Sequence, residues 1–331
     1  MISTIYIEEE IRNHPVTQKI LSRFKDTTLI NCERYTEVFN RNSQNFRLQK
    51  KKPSLILAKK HSGFVLKAPD DYGIDGDDSY NYYFSHMLNC IYDCRYCFLQ
   101  GMYRSAHYVL FVNYDSFTNA IDQTLEKHSD QKVWFYSGYD CDSLALDPVT
   151  DFTDFILPFF RVRPNAYLEF RTKSTQIRSL LHSKPIPNCV VAFSLSPQNI
   201  TEALEDKTPS LENRLEAMKK LQNAGWNIGI RFEPLIYTTD YKENYKELFS
   251  NVFNQLDVEK IHSISIGAFR VPKSYFKNMT KLYPDEKLFA GPLEENDGVI
   301  AYKNELQEEM LDWCFKNISD QFPESNLYKC G

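Results

Sequence analysis

The sequence lacks the features of several large protein classes. No stretch of its 331 residues approaches the apolar length that a bilayer-spanning helix needs. The first residues, MISTIYIEEEIRNH, lack the charged segment and apolar run of a secretory signal. Internal repeats and low-complexity segments are also missing. We therefore expect a cytoplasmic protein with no membrane partner.

Cysteine is too scarce for a disulfide scaffold, because only eight cysteines occur in 331 residues. Five of them are scattered along the chain: Cys32, Cys141, Cys189, Cys314 and Cys330. The other three, Cys90, Cys94 and Cys97, are tightly grouped. Such grouping in a reducing compartment indicates a metal site.

Basic residues are outnumbered by acidic ones, since the chain has 39 Lys and Arg residues and 44 Asp and Glu residues. The net charge of -5 does not indicate a nucleic-acid binder, because counterion release rewards a basic surface. One basic cluster comprises Arg47, Lys50, Lys51, Lys52, Lys59 and Lys60, and its default interpretation is a solvated surface. Aromatic residues are frequent, at 14%, and can fill a core, stack on bases or shield reactive intermediates.

From about residue 80 onward, short apolar runs alternate with longer helical stretches, which is typical of parallel βα units. The predicted strands are residues 82–87, 132–136, 167–171, 189–195, 227–234 and 262–269. The predicted helices are residues 114–127, 148–160, 175–182, 210–224 and 241–256.

These elements predict an α/β fold, a partial (β/α)6 barrel of the TIM type. We expect a single domain in which residues 76–270 form the barrel. Residues 1–75 would be an appended N-terminal layer and residues 271–331 a closing segment. In such a barrel the chemistry lies at the carboxyl ends of the strands.

The grouped cysteines form a C-x3-C-x2-C motif directly after the first predicted barrel strand. Three thiolates can bind three irons of a [4Fe-4S] cluster and leave the fourth iron open to a cofactor such as S-adenosylmethionine. One-electron reduction can then yield a 5′-deoxyadenosyl radical. The alternatives are three buried cysteines without function, or a structural zinc site with His86 as a possible fourth ligand.

This motif, with Tyr96 just before the third cysteine, is the signature of the radical S-adenosylmethionine superfamily. More narrowly, the chain resembles the spore photoproduct lyase family, DNA-repair enzymes that revert a thymine–thymine lesion. The resemblance rests on an ordered set of segments: Ile5-Tyr6-Ile7-Glu8, Pro53-Ser54-Leu55-Ile56-Leu57, Cys97-Phe98-Leu99-Gln100, Asp142-Ser143-Leu144-Ala145-Leu146-Asp147, Arg171-Thr172-Lys173, Phe193-Ser194, Ala224-Gly225 and Pro234-Leu235-Ile236-Tyr237. The cysteine motif alone indicates only the superfamily.

The resemblance implies cofactor-binding roles for Tyr96, Cys141, Asp142, Lys173, Ser194 and Glu233. Several of these are polar residues at predicted strand ends, where a charged cofactor needs donors. Arg231 and Glu233 lie two apart on one strand and point to the same face. They are either functional or a buried ion pair inside the barrel.

The sequence departs from the family pattern where the lyase returns a hydrogen atom to the product. Tyr139 stands where the lyase has its donor cysteine, and Phe98 stands where the lyase has a relay tyrosine. Cys141 stands at a cofactor-binding serine of the lyase. We expect Cys141 or Tyr139 to be the catalytic hydrogen donor. Residues 294–303 also lack the Arg-Tyr pair that the lyase wedges into DNA.

The function that this resemblance implies is a carbon–carbon lyase that repairs a pyrimidine photolesion in damaged DNA. An electron donor such as flavodoxin or ferredoxin would be a partner. The alternative is a radical S-adenosylmethionine enzyme acting on a peptide, a nucleoside or a small metabolite. A metal-stabilised binding protein without catalytic activity is a third hypothesis.

Overall fold

The computed structural model describes residues 2–69, 72–73, 80–128 and 131–330. Within these ranges the strands are β1 (Thr4–Glu8), β2 (Thr28–Cys32), β3 (Leu55–Ala58), β4 (Leu66–Lys67), β5 (Tyr80–Phe84), β6 (Met87–Leu88), β7 (Asp93–Cys94), β8 (Tyr108–Phe111), β9 (Val133–Ser137), β10 (Ala166–Thr172), β11 (Cys189–Ser194), β12 (Glu205–Asp206), β13 (Asn227–Leu235), β14 (Ile261–Ala268), β15 (Arg270–Pro272), β16 (Leu293–Asn296), β17 (Val299–Tyr302) and β18 (Leu327–Cys330).

The α-helices of the same ranges are α1 (Pro15–Leu21), α2 (Phe46–Lys51), α3 (Leu99–Met102), α4 (Tyr114–Glu126), α5 (Asp147–Thr150), α6 (Phe152–Arg161), α7 (Arg178–His182), α8 (Gln198–Leu204), α9 (Leu211–Asn223), α10 (Tyr241–Gln255), α11 (Lys273–Leu282) and α12 (Asn304–Ser319). No helix of the described residues is both long enough and apolar enough to cross a bilayer.

The central element is an eight-stranded sheet with the order β18-β14-β13-β11-β10-β9-β5-β4. Every neighbouring pair is parallel except β4 with β5. The six predicted strands occupy adjacent places in this sheet, which confirms the predicted α/β partial barrel. They were recognisable because a parallel sheet is covered on both faces and its strands are apolar almost throughout.

A second sheet has five strands in the order β2-β1-β3-β8-β6. It combines the N-terminal strands with two strands that follow β5 in the chain. The prediction of one strand over residues 82–87 is therefore wrong: the chain leaves the barrel at Ser85 and His86 and enters the second sheet. Both residues are buried.

Two predicted helices differ from the structure. The helix expected over residues 148–160 is two helices, α5 and α6, because Asp151 has a left-handed φ of 50°. The helix expected from residue 175 begins at Arg178. The predicted ends of α9 are correct, since Ser210 accepts a hydrogen bond from the amide of Asn213 and Gly225 follows with a φ of 90°.

The closing segment contains a hairpin of β16 and β17 beside α11. Asp297 and Gly298 both have positive φ, at 47° and 80°, as a two-residue hairpin turn requires. Helix α11 packs on α3 so closely that a Cβ added at Gly101 would lie 2.2 Å from the carbonyl oxygen of Tyr275. Only glycine permits this approach, which closes the segment over the chain that follows the three cysteines.

One continuous hydrophobic cluster includes residues from all three predicted parts, such as Ile56, Phe135 and Met310. The boundaries expected at residues 75 and 270 stay a prediction.

A buried ion pair lies inside the barrel between β10 and β13. Glu169 and Arg231 are both fully buried, and Arg231 Nη2 lies 2.7 Å from Glu169 Oε2. Arg171 adds a second contact to Glu169 at 3.0 Å. Although burial favours the neutral acid, the two arginines outweigh it and lower the pKa of Glu169 to about 2. The carboxylate therefore stays charged at neutral pH.

Because the folded state lowers this pKa from 4.5, the pair contributes stability above pH 4.5 that is lost as the pH falls toward 2. We expect up to about 3 kcal/mol of pH-dependent unfolding free energy from this group. Urea unfolding across that pH range should show a flatter slope for Glu169→Gln than for the wild type. Glu216→Gln, a substitution in an exposed ion pair, is the matched control. Equal slopes for the wild type and Glu169→Gln would contradict the assignment.

Candidate active site

A cavity opens at the carboxyl ends of the barrel strands. All the residues predicted to hold the cluster, bind the cofactor or donate hydrogen line it: Cys90, Cys94, Tyr96, Cys97, Tyr139, Cys141, Asp142, Lys173, Ser194 and Glu233. Four strands, β9, β10, β11 and β13, each contribute lining residues at or just after their carboxyl ends. One side of the cavity is covered by residues 90–97, which we call the cysteine loop. The fold thus brings together residues that are up to 143 positions apart, the separation of Cys90 and Glu233.

The cysteine loop is fixed by a short antiparallel ladder. Cys94 of β7 pairs with Glu205 of β12, and Asp93 pairs with Asp206. The amide of Arg95 adds a hydrogen bond to the carbonyl of Leu204 at 2.8 Å. These backbone bonds fix the middle cysteine against the segment that follows α8.

Glu205 also holds the loop through its buried side chain. It forms an ion pair with Arg214 of α9, and both side chains are fully buried. The Tyr96 hydroxyl donates a hydrogen bond to the same carboxylate, and the Ser196 hydroxyl does so at 2.9 Å. Sequence reasoning missed Glu205 and Arg214, because neither belongs to a recognisable motif.

Lys173 lies at the same centre. Its ammonium is 5.5 Å from the centroid of the Tyr96 ring. Burial disfavours its charge, but the carboxylate of Glu205 and the sulfur of Cys94 outweigh this effect and raise the pKa of Lys173. A permanent positive charge therefore faces the cavity beside the cysteine loop.

Asp142 uses its carboxylate to shape the loop after β9. Its oxygens accept hydrogen bonds from the Thr172 hydroxyl at 2.6 Å and from the amide of Lys173 at 2.7 Å. The amides of Leu144 and Ala145 add two more, at 3.0 and 2.9 Å. Asp142 therefore ties the end of β9 to the end of β10.

Lys50 of α2 contacts the cysteine loop from the other side. Its ammonium donates to the carbonyl oxygens of Cys90, at 2.9 Å, and Tyr92, at 2.7 Å. Only 4% of the residue is exposed, so the prediction that the basic cluster is a solvated surface is wrong for Lys50. Arg47, on the same helix, forms an ion pair with Asp93 at 3.1 Å. This part of the basic cluster supports the loop, with Lys50 buried and Arg47 partly exposed.

An ion pair between Arg231 and Glu233, one of the two alternatives from the sequence, does not form. Arg231 pairs with Glu169 deep in the barrel, whereas Glu233 pairs with Arg171 at 3.1 Å. Glu233 also accepts a hydrogen bond from the Ser265 hydroxyl. The four charges alternate in sign, which lowers the cost of their burial. Of the two expected partners, only Glu233 lines the cavity.

The two candidate hydrogen donors sit together after β9. Tyr139 contacts the ring of Tyr83 at a centroid distance of 4.3 Å and the ring of Phe98 at 5.5 Å. Burial raises the pKa of both Tyr139 and Cys141, so both keep their hydrogen at neutral pH. A protonated group is what hydrogen-atom donation requires.

The three cysteines suit a cluster better than a single ion. All are free of disulfides. Among the described residues, Glu8, Glu10 and His61 form the one group of three potential ligands whose atoms lie within 4.8 Å of one another. The sulfurs of Cys90, Cys94 and Cys97 do not form such a group, so at least one pair of them is more than 4.8 Å apart, whereas thiolates on one zinc ion would be roughly 3.8 Å apart. Irons of a cubane each take a separate thiolate.

His86 is not a zinc ligand in this structure. Its ring is fully buried, stacks on Phe152 at 3.9 Å and does not line the cavity. Burial lowers the pKa of His86 to about 3, and its Nδ1 has no hydrogen-bond partner among the described residues. The zinc hypothesis therefore lacks its fourth ligand.

A partial barrel with a three-cysteine loop at its carboxyl end defines the class as that of the radical S-adenosylmethionine proteins. The sequence profile of the family described as "Spore photoproduct lyase" matches residues 1–329. The chain therefore belongs to the spore photoproduct lyase family, which confirms the family predicted from the sequence.

Individual relatives of the chain are also spore photoproduct lyases. The spore photoproduct lyase of Clostridium acetobutylicum is 20% identical over 342 residues, covering 99% of this chain and 98% of the relative. That of Bacillus subtilis is 23% identical over 292 residues, covering 86% and 83%. A solved structure of a spore photoproduct lyase variant with bound AdoMet and dinucleoside spore photoproduct has a TM-score of 0.86 at 18% identity, covering 100% of this chain and 98% of that one. This last likeness shows the shared fold.

Arg214→Met should destabilise the fold by about 3–5 kcal/mol, because it leaves the carboxylate of Glu205 buried without its counter-charge. Urea unfolding of the iron-free protein measures the loss. Lys220→Met is the control, since its ion pair with Glu216 is exposed and screened by solvent. A loss for Arg214→Met no greater than that of the control would refute a structural role for the buried pair.

Proposed function

We propose that the chain is a radical S-adenosylmethionine lyase that repairs a pyrimidine photolesion in DNA. The observation that carries the proposal is the set of three unpaired thiols, Cys90, Cys94 and Cys97, in one loop facing a cavity of polar strand ends. These thiols would hold a [4Fe-4S] cluster. When bound, the cluster supplies one electron for reductive cleavage of a C–S bond of S-adenosylmethionine.

The cavity residues provide complementary charges for that cofactor. Lys173 offers a buried positive charge suited to a carboxylate, and Glu233 offers a negative charge suited to an amino or sulfonium group. Ser194, Cys141 and Tyr96 line the same cavity with small or aromatic side chains. Asp142 acts by orienting the loop that carries Cys141 and the amide of Lys173.

Damaged DNA is the proposed substrate, on the strength of the family and of relatives named spore photoproduct lyase. The enzyme would take its electron from a donor such as flavodoxin or ferredoxin. Exposed Glu294 and Glu295 on the hairpin differ from the basic wedge that the family uses. Contact with DNA must therefore rely on other residues around the cavity. The comparisons do not favour the alternative of a peptide or small-metabolite substrate.

The test is anaerobic reconstitution with iron, sulfide, dithionite, S-adenosylmethionine and ultraviolet-irradiated DNA. Restored thymine together with 5′-deoxyadenosine would support the proposal. Cys94→Ala should abolish both products, because two thiols cannot hold the cluster. Cys32→Ala, in the edge strand of the second sheet, is the matched cysteine control. 5′-Deoxyadenosine without restored thymine would refute the DNA substrate, and a lack of iron–sulfur absorbance would refute the cluster.

The hydrogen donor is proposed to be Cys141 or Tyr139. Substituting the true donor, as Cys141→Ala or Tyr139→Phe, should lower thymine formation at least about tenfold and divert product to adducts. Because S–H and O–H hydrogens exchange with water, thymine formed in D2O should carry deuterium in the wild type and lose it in the donor variant. Normal turnover and labelling in Cys141→Ala would exclude Cys141, and the same result in Tyr139→Phe would exclude Tyr139.

A further inference from the structure

Lys50 is a buried cation without a fixed counter-charge. Its ammonium donates to two carbonyl oxygens, those of Cys90 and Tyr92, at 2.9 and 2.7 Å. Among the described residues, no carboxylate oxygen lies within 4.0 Å of it. Carbonyl dipoles satisfy its hydrogen-bonding capacity only in part, and burying an ammonium is unfavourable unless an opposite charge is near.

The surrounding groups increase the positive excess. Lys207 donates to the backbone carbonyl of Lys50 at 3.0 Å. The nearby carboxylate of Asp93 is already engaged by Arg47 at 3.1 Å and by the Tyr283 hydroxyl at 2.9 Å. Arg47 and Lys50 thus act on the one carboxylate of Asp93, and Lys207 adds a third cation beside Lys50. The excess calls for a negative group on the inner side of the loop.

We propose that Lys50 is the positioning residue for the cysteine loop and the counter-charge of the anionic cluster that the loop holds. The inference rests on the proposed function, because thiolates ligating iron supply the missing negative charge. Lys50 reaches the carbonyl of Cys90 itself, and both Lys50 and Cys90 line the cavity. Through Lys50, the N-terminal layer contributes a charged side chain to the redox centre.

This role has two measurable consequences. Reduction adds a negative charge to the cluster, so a fixed positive charge beside it favours the reduced state and raises the reduction potential. The same charge favours binding of the anionic centre over the empty loop. A merely structural lysine would affect folding but would not shift the potential of the bound cluster.

Two substitutions separate charge from hydrogen bonding. Lys50→Met removes both, whereas Lys50→Gln keeps N–H donors without the charge. Both should move the midpoint potential to more negative values in spectroelectrochemical titration. Lys50→Met should also retain iron about tenfold more weakly against a chelator. Lys51→Met, an exposed neighbour on the same helix, is the matched control and should match the wild type in both measurements.

The outcomes are distinguishable from failure of the proposed function. If the wild type binds no iron–sulfur cluster, the proposed function fails first. Suppose that the wild type binds the cluster. If both Lys50 variants then have the same midpoint potential and the same iron retention as the wild type, the role of Lys50 is refuted. Circular dichroism of the iron-free proteins identifies folded variants; where Lys50→Met is unfolded, the potential of Lys50→Gln decides. A lowered midpoint potential in Lys50→Gln supports the role of Lys50 as counter-charge, and an unchanged midpoint potential overturns that role.

Discussion

The structure depends on how one short loop is held between two rigid parts of the molecule. On one side, the ladder of β7 and β12 fixes Cys94 to the barrel, and the buried pair of Glu205 and Arg214 keeps that ladder in place. On the other side, Lys50 of the N-terminal layer binds the carbonyls of the same loop. A loop fixed from both sides can present three thiols in a fixed arrangement, which is the preorganisation that a metal site needs.

The cavity combines this loop with charged residues that would be costly in an ordinary barrel interior. The charges alternate in sign from the interior to the cavity, in the order Arg231, Glu169, Arg171 and Glu233. Their mutual pairing lets the inner residues stay charged while Glu233 faces the cavity, as Lys173 does beside the cysteine loop. Charged groups of both signs at one barrel end suit a cofactor that is itself zwitterionic. The architecture therefore supports the chemistry expected of the family.

The aromatic cluster around Tyr139 lies where this sequence departs from the pattern of its family. Tyr139 packs against Tyr83 and Phe98, and Phe98 in turn faces Tyr275 of the closing segment at 6.5 Å. Phe98, Tyr139 and Tyr275 line the cavity, whereas Tyr83 packs behind them. Two of these rings, Tyr139 and Phe98, stand where the sequence departs from the family pattern.

The sequence by itself determined the six barrel strands, because buried parallel strands need near-continuous apolar runs, and it determined the cysteine motif, because its spacing is local. The sequence also indicated the family to which the chain belongs and the approximate positions of the helices. Only the tertiary structure decided the partners of the buried charges. Tyr96 meets Glu205 across 109 positions, and Lys50 meets Cys90 across 40. Neither the division of residues 82–87 between two sheets nor the pairing of Arg231 with Glu169 follows from local pattern. The physical reason is that periodicity encodes burial, whereas the partner of a buried charge depends on which distant segments the fold brings together.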